Sequence, residues 1–554
     1  MRSLAIFALA TILTLLPVSA DPETQERPTE PGDATLVLRF ATEPPTLNPI
    51  TYRDVYGGII LEYTSGYLYV EDKDYLRNVA SGKVKPRPEG PLKPELAAGY
   101  PEISEDKLTW TIKLREGCKW HDGEEVTAHD IKASFEIMMN DKVDATRMRS
   151  YYEKIDEVIA EDDYTIKFKF KEKYYFAKYS LPGIPIAPLH VIEELDEPQD
   201  WNGIDRVVGC GPFKLENWDK GNEIVLVRND DFWGDMPGIK RIRIKIIKDD
   251  TAAIASLRRG EIDLMGIRAD KWERDVKNDS EIVGEKGKFN HLQYYRPGYS
   301  YIGWNQGDEL FKNKKVRKAL TMLLDIQGII KSVAYGYAQQ VTGPFFFQGT
   351  QYNKSVKPLA FNPEGAKALL QQAGWVDTNR DGILDKDNNK FEFELMITTG
   401  NPNADKIALM LRNSCAKVGI NVEIRRLEWG AFLEKLNQDK YQACMLGWSL
   451  GIFEGDPKQI WHSSSILERG SNRVKFDVPE ADRLIDAGRV EFDQKKRNSM
   501  YHKLHEIIYD EQPYTFLYNG QSNVLLNKKF KGPLVFPGGI YPRAGVELWV
   551  PKGK

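Results

Sequence analysis

The sequence predicts an α/β protein of two lobes assembled from separated segments, with an extra α+β domain. Three patterns carry that prediction. RIRIKIIKDDTAAIASLRRGEIDLM gives strand, short helix, a stop at Gly260 and a second strand, which is one crossover unit. FEFELMITTGNPNADKIALMLRNSCAKVGINVEIRRLEWGAFLEKLNQDKYQACMLGW repeats the alternation for longer. Within it Ile407, Met410, Leu411 and Cys415 form one helical stripe, Gly419 follows the helix end, and strands open at Asn421 and Tyr441. Right-handed crossovers predict that the sheets of both regions are largely parallel. The third pattern has period two: LTWTIKL (Leu108, Trp110, Ile112, Leu114) and YTIKFKF (Ile166, Phe168, Phe170) read as half-buried antiparallel strands.

From the N-terminus, MRSLAIFALATILTLLPVSA has one cation at Arg2, an apolar run from Leu4 to Val18 and small residues before Ala20. It predicts an exported protein cut after Ala20, and Asp21 there leaves no cysteine to carry a lipid. Residues 21–35 are polar and Pro-rich, a flexible lead. A chain of 554 residues exceeds one ordinary core. The late stretch QSNVLLNKKFKGPLVF is strand-like without a helix to cover it, and returning it to the first lobe buries it. The expected division is lobe I from 36–70, 201–288 and 525–554, an extra domain from 71–200, and lobe III from 289–524. The chain then crosses between lobes twice, making a hinge and a cleft.

With 77 cationic and 81 acidic side chains and a net charge of -4, the composition gives no basic footprint for nucleic acid or an anionic membrane. Four widely spaced cysteines, Cys118, Cys210, Cys415 and Cys444, match neither a disulfide scaffold nor a zinc pattern. Cys415 and Cys444 read as small buried hydrophobes.

CKWHDGEEVTAHD, residues 118–130, is dense in side chains that ligate metals or move protons. Local structure accounts for them. Thr127 and Asp130 have capping-box spacing before the apolar positions Ile131, Phe135, Met138 and Met139, and Asp122-Gly123 is a turn dipeptide. No pair has the HExxH spacing of a zinc hydrolase.

The stretch LREGCKWHDGEEVTAHDIKASFEIMM resembles the signature of the family 5 extracellular solute-binding proteins, the oligopeptide- and dipeptide-binding class that serves ABC transporters. RFATEPPTLNP, VVGCGPFKLENW, RNDDFWG, RRGEIDLM, YIGWNQGDELFKNKKVRKALTMLLDIQGII, NPEGAKALLQQAGW and CMLGWSLGIFEGDPKQIWHSS extend the likeness in order over residues 36 to 545. The resemblance implies a two-lobed periplasmic binding protein fold, type II-like, with a ligand cleft between the lobes. It also implies a periplasmic receptor, monomeric and without cofactors, that hands a peptide to an inner-membrane permease. A non-peptide solute such as an oligosaccharide is the alternative. By the same resemblance Glu43 and Thr46 line one wall, and Trp304, Asn305, Gly447, Trp448 and Ser449 the other. Many peptide-binding relatives place an Asp two or three residues beyond the position of Trp448 for the ligand's α-ammonium. Here Leu450 and Gly451 stand there, so Glu454, and after it Asp456, are the nearest carboxylates; Asp456-Pro457 also reads as a helix cap.

DTNRDGILD puts Asp377, Asn379, Asp381 and Asp385 at the first, third, fifth and ninth places of a calcium loop, but the twelfth is Asn388. A turn is the expected reading. A secreted hydrolase is the rival class, and neither HExxH nor GxSxG occurs, while the seven His are dispersed.

Overall fold

The computed structural model describes residues 32–72, 75–76, 78, 90–204, 206–451, 454–467, 470–532 and 548–550. The expected signal peptide and most of the polar lead lie outside them. In the first sheet the strands run Phe289–Tyr295, Tyr518–Asn527, Leu264–Ile267, Thr35–Phe40, Arg241–Ile246, Glu223–Arg228, Phe213–Asp219, and Ala338–Gln340 pairs beside this path with the start of Tyr518–Asn527. The crossover unit is present: Arg241–Ile246 leads through the helix Asp250–Arg259 to Leu264–Ile267, and Thr35–Phe40 lies between them, parallel to both. Asp249 caps that helix by accepting the Ala252 N–H, and Gly260 leaves it at φ +78°, a left-handed turn that a side chain would strain.

All other pairings in this sheet are antiparallel. The expectation of a largely parallel sheet therefore fails at the edges, where a hairpin and the returning C-terminal segment add strands without a covering crossover helix. The second sheet runs Asn421–Leu427, Glu392–Thr398, Ala443–Ser449, Gly298–Trp304, Tyr514–Phe516; its first three strands are parallel, and Gly298–Trp304 is antiparallel to both its neighbours. Its helix Pro402–Ala416 starts at Asn401, whose side chain accepts the Ala404 N–H, and buries Ile407, Leu411 and Cys415.

In the extra domain, Glu102–Ile103, Thr109–Lys113, Thr165–Phe170 and Ile155–Asp162 form an antiparallel sheet. Trp110, Ile112, Ile166, Phe168 and Phe170 are buried, following the period-two reading. A capping box opens the helix Ala128–Met139. Asp130 Oδ2 accepts the Thr127 N–H at 2.7 Å, and Oδ1 accepts the Leu189 N–H at 2.7 Å. Thr127→Ala is expected to lower stability by about 1 kcal/mol in urea unfolding and to leave ligand affinity unchanged. A weakened ligand would mean that this turn belongs to the site.

The chain crosses between the sheets from Tyr295 to Gly298 and from Phe516 to Tyr518, and between these crossings the short strand Ala338–Gln340 comes back to pair with Tyr518–Gly520. Asn519 ties the crossings together: its Nδ2 donates to the Arg296 carbonyl at 2.9 Å and also to that of Gly298. The Leu517 N–H donates to the Ser300 carbonyl at 2.9 Å. Strand pairing puts residues 289–295 and 518–524 in the first sheet, although the sequence division had assigned them to lobe III. A crossing of one or two residues explains the difference, because side-chain alternation continues through it unmarked.

Candidate functional site

The crossings fix how the sheets face each other. Phe289–Tyr295 and Leu264–Ile267 are both antiparallel to Tyr518–Asn527 between them, hence parallel to one another. The chain thus leaves the first sheet at the edge where strands end with Phe40, Ile246 and Ile267. It enters the second at Gly298, opposite Ser449, the edge where strands end with Thr398, Leu427 and Ser449. The carboxyl ends of both parallel sets meet at the hinge and border one crevice, the usual ligand position in open α/β sheets.

Glu43 and Thr46 follow Phe40 at the carboxyl end of the first sheet. Glu43 Oε2 accepts the Gly221 N–H at 2.9 Å and the Trp218 indole N–H at 3.3 Å. These bonds, the first above all, hold its carboxyl below the usual range. Thr46 Oγ1 accepts the Asn48 N–H, a contact within its own turn. Opposite, Gly447, Trp448 and Ser449 pair along one side with Ser300, Tyr299 and Gly298. On the other side the ladder to Glu392–Thr398 covers only Ala443 and Cys444. Among the described residues, Met445–Ser449 therefore have no strand partner on that side, and the open edge lies at the crevice. Trp448 stacks on Tyr301 and donates its indole N–H to Tyr514 Oη at 3.3 Å. Trp429, just past the end of Asn421–Leu427, is 55% exposed at the same rim. Sequence reasoning missed it; its place beyond a parallel strand's carboxyl end was the available signal.

Other expected wall residues lie elsewhere. Trp304 pairs with Ala443, at the far end of the ladder that Gly298 and Ser449 begin. Six strand steps separate it from the crevice by roughly 20 Å. It is wholly buried between Phe311 and Phe393, with its N–H donated to Thr515 Oγ1. Asn305 is buried beside it and donates to the Tyr441 carbonyl at 2.8 Å. The pair came from a strand whose direction the sequence does not reveal.

Glu454 and Asp456 are also committed. Glu454, 6% exposed, takes Arg497 Nη2 at 2.6 Å and Nε at 2.7 Å. Asp456 Oδ2 takes Arg489 Nε at 2.8 Å, and Oδ1 accepts the Lys458 N–H at 3.0 Å, a turn contact ahead of the helix Lys458–Trp461, whose N-cap is Pro457. Both carboxylates are turned toward guanidinium groups of their own lobe.

Around residues 118–130, His121 Nε2 lies 3.0 Å from the Gly211 carbonyl and Cys118 is buried, its thiol pushed up to about 12 by that burial. In the calcium-like loop, Asp377 accepts the Asp381 and Gly382 N–H groups, Asp385 accepts Thr378 through both oxygens, and Asp381 pairs with Lys390 at 2.6 Å. The carboxylates thus serve the turn. Among the described residues no cluster of His, Cys, Asp and Glu is arranged to hold a metal. All four cysteines are buried free thiols, with Cys415 and Cys444 in apolar surroundings.

Residues 91–465 match the family described as bacterial extracellular solute-binding proteins, family 5 Middle. This chain belongs to that family. Among relatives of this solute-binding protein, the oligopeptide-binding protein AppA of Bacillus subtilis (strain 168) is 34% identical over 451 residues, 80% of each chain. The dipeptide-binding protein of Escherichia coli (strain K12) is 27% identical over 473 residues, 81% of this chain and 84% of its own. The solved structure of Bacillus subtilis AppA with a nonapeptide superposes with a TM-score of 0.81 at 30% identity, covering 94% of this chain and 100% of that one. The two-lobed α/β fold of this solute-binding protein is the family's, and its crevice lies where the crossings join the sheets.

Proposed function

We propose that this solute-binding protein captures an extended peptide in the crevice and delivers it to an ABC permease in the inner membrane. The observation that carries this reading is the open edge Met445–Ser449. Its free backbone groups suit the main chain of any peptide, and such pairing tolerates many sequences. AppA and the dipeptide-binding protein, which bind peptides by name, support the choice. Glu43, Thr46, Gly447, Trp448 and Ser449 line the proposed site with Trp429, while Glu454 and Asp456 anchor the following loop. The lobes divide near residues 296–297 and 517 in this reading, and the protein works as a periplasmic monomer exported by its leader.

With both nearby carboxylates neutralised, a peptide's α-ammonium has no partner on this loop. Calorimetry with matched free and N-acetylated peptides is the test, with small-angle scattering on the same samples. Both forms are expected to bind within about tenfold of each other, a difference of about 1.4 kcal/mol, and to reduce the radius of gyration. A loss well beyond tenfold on acetylation would restore a carboxylate anchor. If no peptide binds, a non-peptide solute takes its place.

A further inference from the structure

A second set of interlobe contacts lies away from the hinge. The extra domain and lobe I are one body: Ile50, Leu68 and Cys210 pack into the extra domain's core, and the His121 N–H donates to the Gly209 carbonyl at 2.7 Å. Two consecutive residues of this body nevertheless reach lobe III. Tyr174 Oη donates to Asp456 Oδ2 at 2.8 Å, and Tyr175 Oη to the Gly455 carbonyl at 3.0 Å. The Tyr175 N–H donates to the Arg489 carbonyl at 3.0 Å, and the Arg497 guanidinium lies 4.0 Å from the centre of the Tyr175 ring.

These contacts cannot survive opening about the crossings. The extra domain is joined to lobe I by chain and by core, whereas Gly455 follows Ser449 by six residues on the crevice side of lobe III. Opening separates the two and parts Lys458 from Glu153, yet leaves the polar groups of this loop satisfied. Asp456 keeps Arg489, Glu454 keeps Arg497, and Gly455 keeps Gln351, whose amide meets both its N–H and its carbonyl at 2.8 and 2.9 Å. No charge is left buried without its partner, so the polar part of the contact can be broken and remade without a buried-charge penalty, while opening uncovers the Tyr175 ring, which packs with Tyr501 in one core with Trp461.

We infer that Tyr174 and Tyr175 form a clasp that closes only when the lobes do. As positioning residues they hold the loop after Trp448 and Ser449 against the shut crevice, and so set how long a bound solute stays. This rests on the capture reading but not on the solute being a peptide.

The test compares wild type with the Tyr174→Phe/Tyr175→Phe double variant, each stripped of co-purified ligand by unfolding and refolding. Release and association of a random-sequence nonapeptide pool are timed by tryptophan fluorescence. Release is expected to quicken about tenfold while association and the ligand-free Tm stay unchanged, because the lost bonds exist only in the closed state. An unchanged release rate, or an equal Tm loss with and without ligand, overturns the clasp. If the pool does not bind wild type, the peptide reading falls alone, and hydrogen exchange on ligand-free wild type decides. The Tyr175 amide is then expected to exchange rapidly, and protection matching a core amide such as Ile166 overturns the proposal.

Discussion

Replacing Arg497 with methionine should destabilise the protein by about 3–5 kcal/mol, the usual result of leaving a buried charge without its partner. The Arg497 and Glu454 side chains are only 3% and 5% exposed, and two guanidinium nitrogens meet Glu454 Oε2 while Nη1 donates to the Glu491 carbonyl at 2.7 Å. Methionine fills much of the volume but leaves Glu454 only the Gln494 amide as a hydrogen-bond donor among the described residues, with Lys178 acting on it through charge alone. Changing Glu454 to methionine as well should recover most of the loss, since an apolar pair needs no compensating charge. Thermal unfolding of both variants is the measurement. A single variant as stable as wild type would mean that Glu454 already has another cation or takes up a proton. The same reasoning makes Glu454→Gln a stability variant first.

Acid should weaken the fold through two histidines well before the carboxylates titrate. His121 and His505 are held down to about 4 from an ordinary 6.5, in each case chiefly by burial. His505 Nδ1 accepts the Asn353 N–H at 3.1 Å, and Nε2 lies 3.1 Å from Thr342 Oγ1, so the neutral ring is the form that fits. The unfolded chain binds these protons first. The stability they contribute is therefore complete above about pH 6.5 and is lost as pH falls toward 4, by roughly 3 kcal/mol for each ring. Urea unfolding between pH 7 and 4 should show the decline, and His505→Gln should flatten its share of the slope. An unaltered slope in that variant would assign the decline to other groups.

What the sequence disclosed follows what leaves a periodic trace. The crossover at Gly260, the stripe through Ile407, Leu411 and Cys415, and the alternation around Trp110 and Phe168 each fold as read, because side-chain spacing alone decides which face is buried. The capping box at Thr127 and Asp130 was legible for a similar reason, since its partners are three residues apart. Spacing is silent about strand direction, and so it could not show that Trp304 lies at the far end of the strand from Gly298. Nor does it show which long-range partner a carboxylate meets: Glu454 reads as an available acid until Arg497, on a helix that starts forty residues later, is folded against it. The open edge beside Gly447 is equally hidden, being the absence of a neighbour rather than a property of the strand.

The paired crossings have a mechanical consequence. A single linker lets two bodies swivel in any direction, but Arg296-Pro297 and Leu517 run side by side, and Asn519 binds them to each other. Twisting or sliding would shear the bonds between the two, so bending about an axis through both is the motion left. Such a constraint removes most rotational freedom before any ligand arrives. Each time the halves swing together, Glu43 and Ser449 return to the same opposition, and the entropy of aligning them has already been spent in folding.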